Sequence, residues 1–249
     1  MKAYLIIVCS LLCWNIQAQI VSYRMLYVAA EDQTKFEELA RERVLVRAQN
    51  LVNTDYIIYW GLEKFRFPQG TISGKPNLDV KGNWYQYVMV HKNQESYAKV
   101  ETWWQTALED REPPIRKLPI EISYGEAKLW QIQEQIFEEQ NAKYSWYHFR
   151  YSDDLQEFLD NQKSFIINVE KQKVSQQEQT AGWVFSSLID SSNWAEPNVL
   201  TWIGFLNFAQ ALEYQKNVEL NIDYDEFDIF KEFAFSIICE KILETVVSK

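Results

Sequence analysis

The sequence predicts an α+β fold in which strand–helix units recur, and three observations predict it. Tyr23–Ala30 is apolar on both alternations, with only Arg24 interrupting, as a strand covered on both faces is. A stripe at helical spacing follows at once: Phe36, Leu39, Ala40, Val44 and Leu51. The same order, strand then helix, returns twice downstream. Phe36, Tyr97 and Phe158, each near the start of one of these helices, stand 61 residues apart. Equal spacing points to internal duplication, with coincidence inside a generic pattern as the other reading.

Taken in order, Thr34 and Glu37 have the spacing of a capping box for the first helix. Asp55–Leu62 returns to β-branched and aromatic residues, the composition of a second strand. Pro68–Lys81, with two glycines and two prolines, reads as an exposed loop. Trp84–His91 is the third strand. Asn93 caps a helix whose stripe is Tyr97, Val100, Trp104, Ala107 and Leu108, and the prolines in Arg111–Pro119 end it. A short strand at Leu118–Ser123 completes β-α-β-β-α-β, the ferredoxin-like plan.

Ser123 and Glu126 then suggest a helix to about Asn141, with Leu129, Ile132, Ile136 and Phe137 inward. Tyr144–Leu159 is the third strand–helix unit, and Ser164–Lys173 reads as a strand. Beyond Val174 the sequence predicts a C-terminal helical cluster. One helix carries Ala181, Val184, Phe185 and Leu188. A buried one spans Val199–Tyr214, and a last one is capped by Asp223 and Glu226 and runs past Ile238 to Lys241. The expected domains are a leader at 1–18, a ferredoxin-like unit at 19–123, and a second α+β unit with the helices at 124–249, with one continuous domain over the last two as the alternative.

Met1–Ala18 has the form of a secretory signal peptide. Lys2 gives the positive start, Tyr4–Cys13 the apolar run, and Ala18 the cleavage position before Gln19. The mature chain then keeps only Cys239, so no intramolecular disulfide is expected. The expected location is the periplasm of a Gram-negative cell or the exterior. The formal charge is −10, and one unit more negative without Lys2. That sign disfavours nucleic acid and anionic membranes as partners. No span of about 20 apolar residues occurs in the mature chain.

Most chemical motifs are absent. Gly70-Thr-Ile-Ser-Gly74-Lys75 has three residues between its glycines where a phosphate loop has four, and Pro76 replaces the magnesium-binding hydroxyl. No G-x-S-x-G elbow occurs. His91 and His148 are the only histidines, so no zinc spacing exists and no metal site is expected. Asp223–Asp228 is acidic but lacks a calcium loop's glycine and distal glutamate, and helix capping accounts for it. Trp103 and Trp104 raise sugar stacking, but Trp104 falls on the core stripe.

One strand face is the candidate site. Tyr144, Trp146, His148 and Arg150 project to one side of the fifth expected strand, while Tyr147, Phe149 and Tyr151 project to the other and would meet a helix. Two amphipathic rings, an imidazole and a guanidinium could line a ligand cavity. A partly exposed face with ordinary cross-strand pairing is the alternative. His91 reads as a loop-edge histidine.

The stretches YRMLYVAAEDQTKFEELARE and YQYVMVHKNQESYAKVETWW resemble the ferredoxin-like dimeric α/β-barrel superfamily, which includes antibiotic-biosynthesis-monooxygenase-type modules. The resemblance implies two sheets closing over an apolar or haem-sized cavity. It assigns no catalytic residue, and Ala30–Gln33 and Lys92–Gln94 stand where members carry a Pro-Gly-Lys turn. Three functions are expected from these readings. The first is a non-catalytic binding or interaction protein with an aromatic-lined cavity, taking a small apolar or aromatic ligand, a protein partner or a second copy of the chain. The second is a small cofactor-independent oxygenase or isomerase using His148 and Arg150. The third is a structural partner in a cell-envelope assembly. The cofactor is unknown.

Overall fold

The computed structural model describes residues 19–66, 82–101, 120, 122–137, 142–161, 181–189, 197–221 and 233–245. Its frame is a closed barrel of eight antiparallel strands. They are β1 (Ile20–Ala29), β2 (Tyr59–Phe65), β3 (Gly82–His91), β4 (Ile122–Phe137), β5 (Tyr144–Arg150), β6 (Gly182–Leu188), β7 (Val199–Phe205) and β8 (Phe233–Glu244). Around the barrel they run β1-β3-β2-β8-β5-β7-β6-β4. Read from β4, the order is β4-β1-β3-β2 followed by β8-β5-β7-β6, so the second half repeats the first. This α+β barrel is consistent with a ferredoxin-like type of fold. Closure also removes the sheet edges that would otherwise expose unpaired backbone groups.

Helix α1 runs as α-helix over Gln33–Leu39 and Leu45–Asn53, joined by a π-helical turn at Ala40–Val44. Helix α2 covers described residues 94–101, α3 is Leu155–Asn161 and α4 is Phe208–Asn221. The strand–helix unit therefore occurs four times, after β1, β3, β5 and β7. The first three are those marked by Phe36, Tyr97 and Phe158.

Alternation along the strands divides the core into three layers. Val21, Tyr23, Phe65, Val88, Trp130, Tyr147, Phe149, Leu200 and Cys239 fill the barrel interior. Leu26, Val28, Trp60, Leu62 and Tyr85 face outward and meet Phe36, Ala40, Val44, Ala48 and Leu51 of α1. In the second half Trp146, Trp183, Phe185, Val199, Ile203 and Phe205 meet Phe158 and Leu159 of α3 and Ala211 and Tyr214 of α4. Full burial of residues such as Leu26, Leu62 and Phe205 stabilises the fold by roughly 1.5–3 kcal/mol each.

Local chemistry sets the helix ends. Helix α1 ends in a Schellman motif: the Tyr56 N–H donates to Leu51 O at 2.9 Å and the Asp55 N–H to Val52 O at 3.0 Å. Asp55 takes the left-handed conformation (φ 65°) that glycine usually fills there, and Lys92 pairs with its carboxylate. Asn93 caps α2 as expected, its Oδ1 accepting from the Ser96 N–H at 2.9 Å. Thr34 does not cap α1, because helical turns already begin at Ala30.

The expected helices of the second half are largely strands. The helix expected from Ser123 is, as far as Phe137, part of β4, paired with β1 and β6. The helix expected around Ala181–Leu188 is β6, Val199–Phe205 is β7 ahead of α4, and Phe233–Glu244 is β8. Of the expected C-terminal helical cluster, α4 is helical, and β6, β7 and β8 stand where the other helices were expected. The leader, the Pro68–Lys81 loop, Trp103-Trp104, the Ser164–Lys173 strand and the acidic Asp223–Asp228 run lie outside the described residues.

Candidate functional site

Tyr144, Trp146, His148 and Arg150 share one face of β5, and that face turns outward beneath the helices. The orientation is the reverse of the sequence expectation, in which Tyr147 and Phe149 met a helix; those two point into the barrel. The Trp146 ring lies 4.5 Å from the His148 ring and 5.7 Å from Tyr214 of α4, centroid to centroid. Tyr144 contacts Phe208 at 5.4 Å, and its hydroxyl stands 3.5 Å from Glu240 Oε1.

His148 is only 3% exposed. Burial, with the Arg150 charge second, pushes its pKa well below the usual histidine value, so the ring is neutral at neutral pH. Directly across the β5–β7 ladder from His148 is Thr201, and across the next ladder is Phe185. The Thr201 hydroxyl is buried and has no hydrogen-bond partner among the described residues. A buried hydroxyl left in that state costs about 1–3 kcal/mol.

The other histidine occupies the matching layer of the first half. His91 ends β3 with no exposed surface, so it is not a loop-edge residue. Its Nε2 lies 3.3 Å from Ser22 Oγ and its ring stands edge-on to Tyr97 at 5.2 Å. Burial holds its pKa down at about 4.

A third constellation, which the sequence reading did not single out, occupies the barrel interior. Glu63 of β2 is 3% exposed. Its Oε2 accepts from Tyr147 Oη at 2.7 Å and Gln86 Nε2 at 2.8 Å, and its Oε1 accepts from Ser145 Oγ at 3.1 Å. Gln86 Nε2 also lies 3.6 Å from the Cys239 thiol. Burial raises the Glu63 pKa from its ordinary value, against the pull of its three donors and of Lys241. The available signal was alternation: Tyr59, Gly61, Glu63 and Phe65 share one parity of a strand read as ending at Leu62.

An open cavity of about 190 Å³ is lined by Ala142, Lys143 and the end of β8 from Lys241 to Glu244, and neither His148, Thr201, His91 nor Glu63 lines it. It is smaller than the roughly 300–1,000 Å³ of ordinary ligand pockets. Among the described residues no three His, Cys, Asp or Glu side chains gather to hold a metal, and no helix is long and apolar enough to cross a membrane.

This arrangement defines a class by fold: an eight-stranded antiparallel α+β barrel with helices packed on its outer faces. No family model and no curated protein matches the chain. Solved structures share the fold. A candidate monooxygenase of Fusobacterium nucleatum aligns over 92% of this chain and 94% of its own, with a TM-score of 0.55 and 8% identity. A candidate monooxygenase of Lactobacillus acidophilus gives 0.54 and 11%, over 93% and 97%. A haem-binding protein of Thermus thermophilus gives 0.52 and 8%, over 90% and 91%.

Proposed function

We propose that this chain is a ligand-binding protein of the dimeric α/β-barrel kind, each half a ferredoxin-like unit, and that it holds a small, flat, largely apolar molecule between the second-half sheet and its helices. The observation that carries the reading is Thr201, a buried hydroxyl without a partner among the described residues, set opposite the neutral His148 in an aromatic layer. Trp146 and Phe185 lie in that layer, Thr201 supplies the polar anchor, and the neutral His148 ring stands directly across the ladder from it. The haem of the Thermus neighbour does not fit the chain's two histidines. His91 already meets Ser22 and Tyr97, and the His148 ring lies against Trp146. We also propose that Met1–Ala18 exports the protein to the periplasm or beyond, which N-terminal sequencing of the mature chain tests.

Native mass spectrometry of gently purified protein tests the binding role. A copurifying small molecule is expected on the wild type and lost from Thr201→Val. A bare wild-type mass together with a stable protein–protein complex contradicts the reading and favours a structural partner. A second reading is a small cofactor-independent oxygenase or isomerase. It is favoured by His148 being held as a neutral base in an apolar layer, with Arg150 two residues along.

A further inference from the structure

The layer under α2 corresponds, position by position, to the layer under α4. Ile20 pairs with His91 across the β1–β3 ladder as Tyr144 pairs with Phe205 across the β5–β7 ladder. His91 and Phe205 each stand two residues before the asparagine that caps the next helix, Asn93 or Asn207. Ser22 therefore occupies the place of Trp146, Tyr97 that of Ala211, and Val100 that of Tyr214. In the second half three rings fill the space: Trp146 lies 5.7 Å and Phe205 5.4 Å from Tyr214, centroid to centroid. In the first half a hydroxyl, an imidazole and a valine stand in those three places, and the Tyr97 ring is edge-on to the imidazole.

The exchange makes this layer polar and opens it at one side. His91 is fully buried, Ser22 and Tyr97 are half-buried, and the Arg24 and Glu101 side chains are 41% and 32% exposed. A neutral imidazole has one donor and one acceptor. Nε2 uses one of these at Ser22 Oγ, 3.3 Å away, and the buried Nδ1 has no partner among the described residues. Arg24 meets Glu101 at 3.8 Å, the outer edge of an ion pair. A carboxylate taken by both guanidinium nitrogens sits at about 2.7–2.9 Å, a stronger hold. Ser22 and Arg24 are two residues apart on one face of β1, roughly 7 Å along the strand.

We propose that the layer between β1, β3 and α2 is a second binding site, for a small hydroxy acid whose carboxylate pairs with Arg24 and whose hydroxyl completes the hydrogen bonding of the Ser22–His91 pair. The spacing of Ser22 and Arg24 limits the ligand to a few carbons. The layer under α4 has no such pair, because Trp146 and Phe205 stand in place of Ser22 and His91. With its Arg24 side exposed, the site exchanges its ligand with solvent, so titration reads it and copurification does not. It does not depend on the ligand layer of the second half.

Titration with lactate, followed at the histidine ring signals by NMR, tests it. The chain has two histidines, so His91 is the reporter and His148 the control, and His91→Phe assigns the signals. Lactate is expected to move the His91 signals saturably in the millimolar range and to leave His148 unmoved. Acetate, which lacks the hydroxyl, should bind at least tenfold more weakly. Ser22→Ala and Arg24→Gln should each weaken lactate binding tenfold or more. Thr201→Val should leave it unchanged, which separates this site from the second-half layer. No saturable movement of His91, movement of both histidines together, equal binding of acetate, or undiminished binding by either variant overturns the proposal. If a variant does not fold, the comparison of lactate with acetate on the wild type decides.

Discussion

The two faces of β5 handle buried polar groups in opposite ways. Inward, Ser145 and Tyr147 both donate to Glu63, and with Gln86 they complete its hydrogen bonds. Outward, His148 sits among aromatic rings beside a Thr201 hydroxyl that has no partner among the described residues. The backbone is the same, and alternation alone decides which side a residue serves. A saturated buried network fixes the pairing of strands, whereas unused hydrogen-bonding capacity in an apolar layer is what a ligand would complete.

The largest expected effect is at the saturated site. Glu63→Ala strips the acceptor from three buried donors and leaves a void, and should cost about 3–5 kcal/mol in urea unfolding at neutral pH. A cost near 1 kcal/mol would mean that the network is not holding the strands.

Next is an acid effect in the first-half layer. His91 folds with a pKa of about 4 against 6.5 for the ordinary residue. The unfolded chain therefore takes up the proton first, and stability falls as pH drops from 6.5 toward 4. At 1.36 kcal/mol per pK unit the loss is about 3 kcal/mol. Denaturation midpoints across that window should flatten in His91→Phe, and an unchanged acid limb would remove His91 as the cause.

Thr201→Val sharpens the contrast directly. Removing an unsatisfied hydroxyl should leave stability unchanged or raise it by up to about 1 kcal/mol, while retention of the copurified ligand falls. A loss of more than about 1 kcal/mol in thermal unfolding would show that the hydroxyl is satisfied after all. The smallest effect belongs to the exposed Arg66–Glu240 pair: Arg66→Ala should cost under about 0.5 kcal/mol despite its 2.6 Å contact, and should lose even that in high salt.

How much of this was legible in the sequence depended on how the strands are covered. Strands β1, β3 and β5 and the apolar stripe of α1 were readable because alternation and helical spacing are clear there. Strands β6 and β7 were not. Gly182–Leu188 is buried throughout and Val199–Phe205 nearly so, and a strand apolar on both faces has no alternation to separate it from a buried helix. In β4 the register shifts between Ile132 and Glu134 against β6, which breaks the alternation midway and let Leu129, Ile132 and Ile136 pass as a helical stripe. The grouping of Tyr144, Trp146, His148 and Arg150 on one face was legible from parity. Which face lay inside was not, because both carry aromatics. Glu63 was passed over because the second strand was read as ending one residue before it.

The most direct test is a crystal structure of the protein carrying its copurified molecule. The account predicts density in the second-half sheet–helix layer, within hydrogen-bonding distance of Thr201 Oγ1 and the His148 ring, with the barrel interior still closed around Glu63. A molecule seated beside Glu63 instead, or bound away from both faces of β5, would contradict it.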